Sequence, residues 1–334
     1  MGMTPKKRVL SAILGGRIDR IPATSVCQTA THDQMQAIGA GWPEAHLNAE
    51  KMAKLASAAY TTASLETVRV PFDQAIEAEI FGGKMDIKAE FPAIVKHLEN
   101  FSELKIPDNF IELGRIPVVL DAVKILADEF GDSLPVMAGI IGPFSVATQV
   151  FGPSDAIKWT ITRQKESSEM LDSMVDPLVD YANELTKRGA DLIVVEDMFS
   201  SQLGSKIFNA VAKEPLKRLI NETKNIVVIH ICGNVTQMVA DVVDVGADGV
   251  SVGKETDIKA VANAAKGKTS VIGNVDPVRE LLSKEIPTLE KAVKDAIDGG
   301  AELIAPGCSI APDTTIENIK QMVIQTQNYG KRPA

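Results

Sequence analysis

His230 and Cys232 stand two residues apart at the end of an apolar run, Asn225-Ile226-Val227-Val228-Ile229-His230-Ile231-Cys232-Gly233-Asn234. In a β-strand, residues two apart share a face, so this run would present an imidazole nitrogen and a sulfur side by side. A second apolar run, Ala301 to Cys308, also stops on a cysteine. One imidazole and two thiolates make a soft donor set that suits zinc, and three protein ligands leave a fourth position open, which separates a catalytic from a structural site. Free cysteine also serves as a small core filler. Here, however, two of only three cysteines lie at the exits of buried runs, and glycine follows Cys232 and precedes Cys308, permitting tight turns around a ligand cage. His230, Cys232 and Cys308 are therefore the expected metal ligands and catalytic residues.

Glu196 and Asp197 end the neighbouring run, Asp191 to Asp197. Either can complete the metal's coordination in place of water, or accept the ring N–H of His230. Adjacent strand residues face opposite ways, so only one points inward. Gln28 and Asn274, at the exits of two further runs, are the expected cofactor-binding groups. Cys27 reads as a buried spectator, and His32, His46 and His97 lack ligand spacing.

Bringing these residues together requires a scaffold whose strands all open on one mouth. Eight short apolar runs alternate with helical patterns: Ile21–Cys27, Leu65–Val70, Leu134–Ile141, Asp191–Asp197, Asn225–Cys232, Asp248–Gly253, Thr269–Asn274 and Ala301–Cys308. None alternates apolar with polar, so each is buried on both faces. Eight such units predict an α/β fold, a (β/α)8 TIM barrel, with a doubly wound sheet as the alternative. Its helices include Pro43 to Ala59, Ser167 to Gly189, and a closing helix from Thr314 to Tyr329 with Asp313 as N-cap. The polar residues cluster at strand C-termini, where barrel enzymes assemble their sites. The stretch Phe72 to Asp108 breaks the rhythm, with Ala75 to Lys88 and the Pro92 region suggesting a hairpin and loops. No linker bounds it, so the reading is a single barrel domain over 1–334 with an insertion near 72–114.

A net charge of −9 and the lack of a concentrated basic face argue against nucleic acid as a partner. Three cysteines cannot frame a secreted disulfide scaffold, so a cytoplasmic location is expected. No run approaches the roughly 20 apolar residues that span a bilayer. The opening Thr4-Pro5 reads as the N-cap and first residue of an amphipathic helix. Gly249-Val250-Ser251-Val252-Gly253-Lys254 lacks the phosphate-loop pattern and reads as a strand.

Several motifs together resemble the uroporphyrinogen decarboxylase superfamily over nearly the whole chain. They are Gly16-Arg17-Ile18-Asp19-Arg20-Ile21-Pro22, Pro71-Phe72-Asp73 with Glu77-Ala78-Glu79, Gly142-Pro143-Phe144, His230-Ile231-Cys232-Gly233-Asn234, Gly273-Asn274-Val275-Asp276-Pro277 and Pro306-Gly307-Cys308. Within the superfamily the chain is most similar to the zinc-dependent methylcobamide:coenzyme M methyltransferases of methanogens. The decarboxylases carry an arginine-rich segment after the first strand, whereas this chain has Cys27-Gln28-Thr29-Ala30-Thr31-His32 there, which disfavours porphyrinogen decarboxylation.

The resemblance implies a uroporphyrinogen decarboxylase-like barrel and a zinc-dependent methyltransferase. The methyl group would pass from a methylated corrinoid, carried by a transient corrinoid-binding partner, to coenzyme M or a similar small thiol. A zinc-bound thiolate would attack methyl-Co(III) and release Co(I). The chain has no D-x-H-x-x-G segment for a corrinoid of its own, as a separate carrier requires. A related enzyme acting on a methyl ether or methylamine is the alternative. The methyltransferases tend to follow the fourth strand with aspartate, proline and threonine; here Asp197-Met198-Phe199 stands, making Asp197 the expected inward, catalytic carboxylate. Asn274 is expected to help hold the anionic end of the thiol.

Overall fold

The computed structural model describes residues 2–87, 92–283 and 285–332. Its strands are β1 (Val68–Val70), β2 (Lys84–Asp86), β3 (Ala93–Lys96), β4 (Val136–Ile141), β5 (Leu192–Asp197), β6 (Ile226–Ile231), β7 (Gly249–Val252) and β8 (Ser270–Ile272). A parallel six-stranded sheet runs β1-β4-β5-β6-β7-β8, and β2 and β3 form a separate antiparallel hairpin. Every residue of β4 and β5 is buried, as parallel strands covered on both faces require.

The sheet closes on itself through two segments expected as full strands. Both are narrower than expected: Ala23 bridges Ile304 and Ile272 bridges Leu303, each in parallel, and the Glu66 N–H donates to Ala23 O at 2.9 Å to complete the ring. The second segment bridges once more, Val275 to Pro306, and neither Pro22 nor Pro306 has an N–H to give a ladder.

Alternation within each strand separates two cores. Leu192, Val194, Val228, Met137, Ile272, Leu303 and Ala305 line the barrel interior, whose lower end is stoppered by Val9, Ala12 and Ile13 of the helix Pro5–Ile13. That helix starts as expected, with Thr4 accepting from the Lys7 N–H and Pro5 in the first turn. Ile193, Val195, Val227 and Ile229 point the other way, into the helical layer. There the helix Val175–Lys187 buries Leu178, Tyr181, Ala182 and Leu185 along one stripe, each large side chain contributing about 1.5–3 kcal/mol.

Three helix limits differ from expectation. The helix expected from Pro43 begins at Ala49, because Asn48 caps it by accepting from Lys51 N–H at 2.8 Å. The long helix expected over 167–189 divides into Gln164–Ser173 and Val175–Lys187, and Pro177 cannot donate across the joint. Thr315, in place of Asp313, caps the closing helix Ile316–Tyr329, while Asp313 lies 2.9 Å from His32 Nδ1.

Of the insertion expected near 72–114, residues 88–91 lie outside the described residues. The remainder forms the helix Ile76–Ile80, the β2–β3 hairpin and two short turns. It is anchored where Leu98 N–H donates to Val150 O at 2.8 Å.

Candidate active site

β6 places His230 on the interior face with Val228, and Cys232 follows two residues on. His230 Nε2 lies 3.2 Å from Cys232 Sγ, which lies 3.6 Å from Cys308 Sγ, and the three ligand atoms fall within 4.8 Å of one another. Around a tetrahedral zinc with Zn–S of about 2.3 Å, two sulfurs sit roughly 3.8 Å apart, so this spacing and this donor set fit the ion. Among the described residues no fourth histidine, cysteine or carboxylate joins the group.

Cys232 follows β6 and Cys308 follows the bridged segment at Leu303 to Pro306, with β7 and β8 between them in the ring, and glycines close that gap. Gly233 has φ of +80°, a conformation that L side chains rarely adopt. A Cβ on Gly253 would stand 2.7 Å from both Gly233 N and O, and one on Gly307 would stand 2.8 Å from Lys254 N. The loop after β7 is thus a spacer of backbone thickness between the two cysteine loops.

Ser251, the register partner of His230 on β7, holds the ring: its Oγ is 2.9 Å from His230 Nδ1. A proton on Nδ1 donated to that oxygen leaves the Nε2 lone pair facing the sulfurs. Ser251 was not singled out as a site residue from sequence, although a serine inside an apolar strand was a signal. Hydrogen bonds from Cys232 and His230 hold the Cys308 thiol below its ordinary value against burial. Cys232 is pushed far up by the same hydrogen bond and by burial. Cys27 is buried and its thiol is raised by desolvation.

The carboxylates at the end of β5 reverse the expectation. Glu196, register partner of His230, is the inward one, paired with the Arg69 guanidinium and the Gln74 amide. Burial lowers Arg69 to about 10. Asp197 points into the helical layer, where its carboxylate accepts from Ser145 Oγ at 2.9 Å and Ser200 N–H at 3.1 Å. Period-two alternation decides this, since Leu192 and Val194 face inward and Glu196 must follow them.

Asn274 is also placed otherwise than expected. Both its amide protons are taken, by Gly253 O and Thr256 O at 3.0 Å each, so neither is left for an anion. Gln28 donates to Ile310 O at 3.0 Å and fixes the loop after Cys308. It also lines a cleft of about 490 Å³ together with Phe72, Gln74, Ile94, Gln149 and Ile310, and Ser309, the residue after Cys308, is on its wall. Asp73, on the same wall, is held at about 2: burial would raise it, but hydrogen bonds from His46 and Arg115 prevail.

A parallel barrel with this mouth defines a class, and the chain belongs to the uroporphyrinogen decarboxylase (URO-D) family, whose model matches residues 4–329. Its similarity is strong to "Methylcobamide:CoM methyltransferase MtbA" of Methanosarcina acetivorans, 36% identical over 339 residues and spanning 98% of each chain. "Methylcobamide:CoM methyltransferase MtaA" of Methanosarcina barkeri is 32% identical over 338 residues, again with 98% of each chain covered. A solved structure, a methyltransferase from Methanosarcina mazei, superposes with a TM-score of 0.93 at 33% identity, covering 98% of this chain and 99% of that one. The protein is a methyltransferase. Among the described residues no helix is long and apolar enough to cross a membrane.

Proposed function

We propose that this methyltransferase moves a methyl group from a methylated corrinoid, presented by a separate corrinoid protein, to the thiol of coenzyme M. We place the reaction at a zinc ion held by His230, Cys232 and Cys308 in a single barrel domain carrying the 72–114 insertion. The observation that carries the reading is the convergence of one imidazole and two sulfurs within 4.8 Å at the barrel mouth without a fourth protein ligand among the described residues. The relatives' names supply the donor and acceptor.

Zinc bound there would act as a Lewis acid that takes a thiol, mostly protonated at neutral pH, to its thiolate. The chain's own groups set the conditions. Cys232 and Cys308, as thiolates, would offset the dication's charge and so preserve nucleophilicity in an incoming sulfur. Ser251 aims Nε2 of His230 by occupying Nδ1. Arg69 and Gln74 engage the Glu196 carboxylate below, so that the floor of the mouth is a neutralised pair. Asp197 is a positioning residue: it fixes the turn after β5 through Ser145 and Ser200.

The test is metal analysis of the purified protein together with coenzyme M-dependent demethylation of free methylcobalamin, for wild type and Cys308→Ser. Stoichiometric zinc and activity in the wild type, both lost in a folded variant, are expected. A wild type lacking zinc, or inactive with every small thiol, overturns the reading.

A further inference from the structure

Glu196 is the carboxylate that stands beside the metal ligands. It is the register partner of His230, both side chains face the barrel interior, and neighbouring strands lie about 4.8 Å apart. A carboxylate is itself a zinc ligand, and a buried one stripped of its partner is left as an uncompensated charge that a nearby dication would satisfy. Yet among the described residues the cluster of possible ligands is His230, Cys232 and Cys308 without it. Both Glu196 oxygens are taken instead, Oε1 by Arg69 Nη2 and Oε2 by the Gln74 amide.

The ion pair is made across an intervening strand. Arg69 lies on β1, level with Met137 of β4, and Glu196 lies on β5, level with Ile141 of β4. The guanidinium has to cross β4, and it crosses at Gly139, where a Cβ would collide with Arg69 Nη2 and stand 3.1 Å from Glu196 Oε1. Glycine weakens a strand interior, so its place in this buried strand marks the close approach of another group. Arg69 is 1% exposed and Glu196 0%, so water screens neither charge. A buried ion pair is weak evidence for stability, because apolar residues of similar volume often serve as well. We infer that Arg69 is a positioning residue that holds Glu196 off the metal and so keeps the fourth coordination position open for the thiol; this rests on the zinc reading above. Without the guanidinium, the carboxylate turns to the ion as a fourth protein ligand and an open site becomes a closed one.

The experiment measures zinc affinity by chelator competition, and coenzyme M affinity by titration into the cobalt(II)-substituted protein, where a new sulfur ligand adds charge-transfer absorption. Wild type, Arg69→Met, Glu196→Gln, the double variant of these two, and Gly139→Ala are compared, with circular dichroism on each. Arg69→Met should bind zinc about ten-fold more tightly and coenzyme M about ten-fold more weakly, and adding Glu196→Gln should return both to within about two-fold of wild type. A merely structural role would move zinc affinity down, not up. Glu196→Gln alone should leave zinc affinity within about two-fold, because the carboxylate is no ligand while Arg69 holds it. Gly139→Ala, which crowds the guanidinium off its path, should shift both affinities in the same directions as Arg69→Met, and it decides the matter if Arg69→Met does not fold. Unchanged or weaker zinc binding in the folded variant overturns the inference, as does loss of zinc from Glu196→Gln. A wild type that binds no zinc defeats the metal site and this inference with it; a zinc-binding wild type whose variants gain no affinity defeats only this one.

Discussion

At the scale of single residues, the site depends on how one imidazole is aimed. Ser251→Ala removes the oxygen 2.9 Å from His230 Nδ1. Such outer partners typically contribute 10–100-fold in metal affinity, so chelator competition should show a loss of roughly that size with the fold intact, largely restored in Ser251→Thr. A second residue sets a pH dependence. Burial raises Glu77 from its ordinary value to about 7, although its Oε1 accepts the Ile141 N–H. A carboxyl raised in the folded state stabilises it below the unfolded value, and that contribution is lost as pH rises through the folded one. Stability should therefore fall between about pH 4.5 and pH 7 by up to about 3 kcal/mol, and Glu77→Gln should flatten that slope in denaturant titrations. Of the site residues, His230, Cys232 and Cys308 were legible because their types are rare and their positions end apolar runs. The inward carboxylate was not: the methyltransferases' aspartate after the fourth strand points to Asp197, whereas strand parity places Glu196 beside His230.

At the scale of elements, the strand order was readable because doubly buried parallel strands leave uninterrupted apolar runs between helical patterns. The helix limits were less so, since Asn48, Pro177 and Thr315 act through local hydrogen bonds that compete closely with their neighbours. Contacts between loops were not readable at all: nothing in the sequence says that Gly253 lies against Gly233 while Gly307 lies against Lys254. That stack sets the distance between the sulfurs. Gly253→Ala forces a Cβ to within 2.7 Å of backbone atoms that cannot turn aside. Overpacking of this kind costs about 1–3 kcal/mol, and chemical denaturation should report it. Zinc affinity should fall along with stability, because the strain spreads the two cysteine loops.

At the scale of the whole molecule, the barrel and its two cores are sufficient without a metal. The interior from Val9 to Leu303 and the helical layer are closed and apolar, so metal-stripped protein and Cys308→Ser should keep their circular dichroism and unfold cooperatively, unlike small domains that depend on an ion. The ring is nonetheless unevenly fastened. His230 lies in β6 of the continuous sheet with Cys232 directly after it, whereas Cys308 follows a segment joined by isolated bridges, at Leu303 and Pro306 on one side and at Ile304 on the other. An ion gripped by all three spans the weakly laddered join like a stitch, and whatever binds only the closed ring must, by reciprocity, hold the ring closed. Occupancy is then written into the backbone far below the ligands. Deuterium uptake at the amides of Thr24 and Ile304, which pair across the join at 2.8 and 3.0 Å, should slow when metal is loaded, while Val194 and Val228 in the continuous sheet keep the same rate.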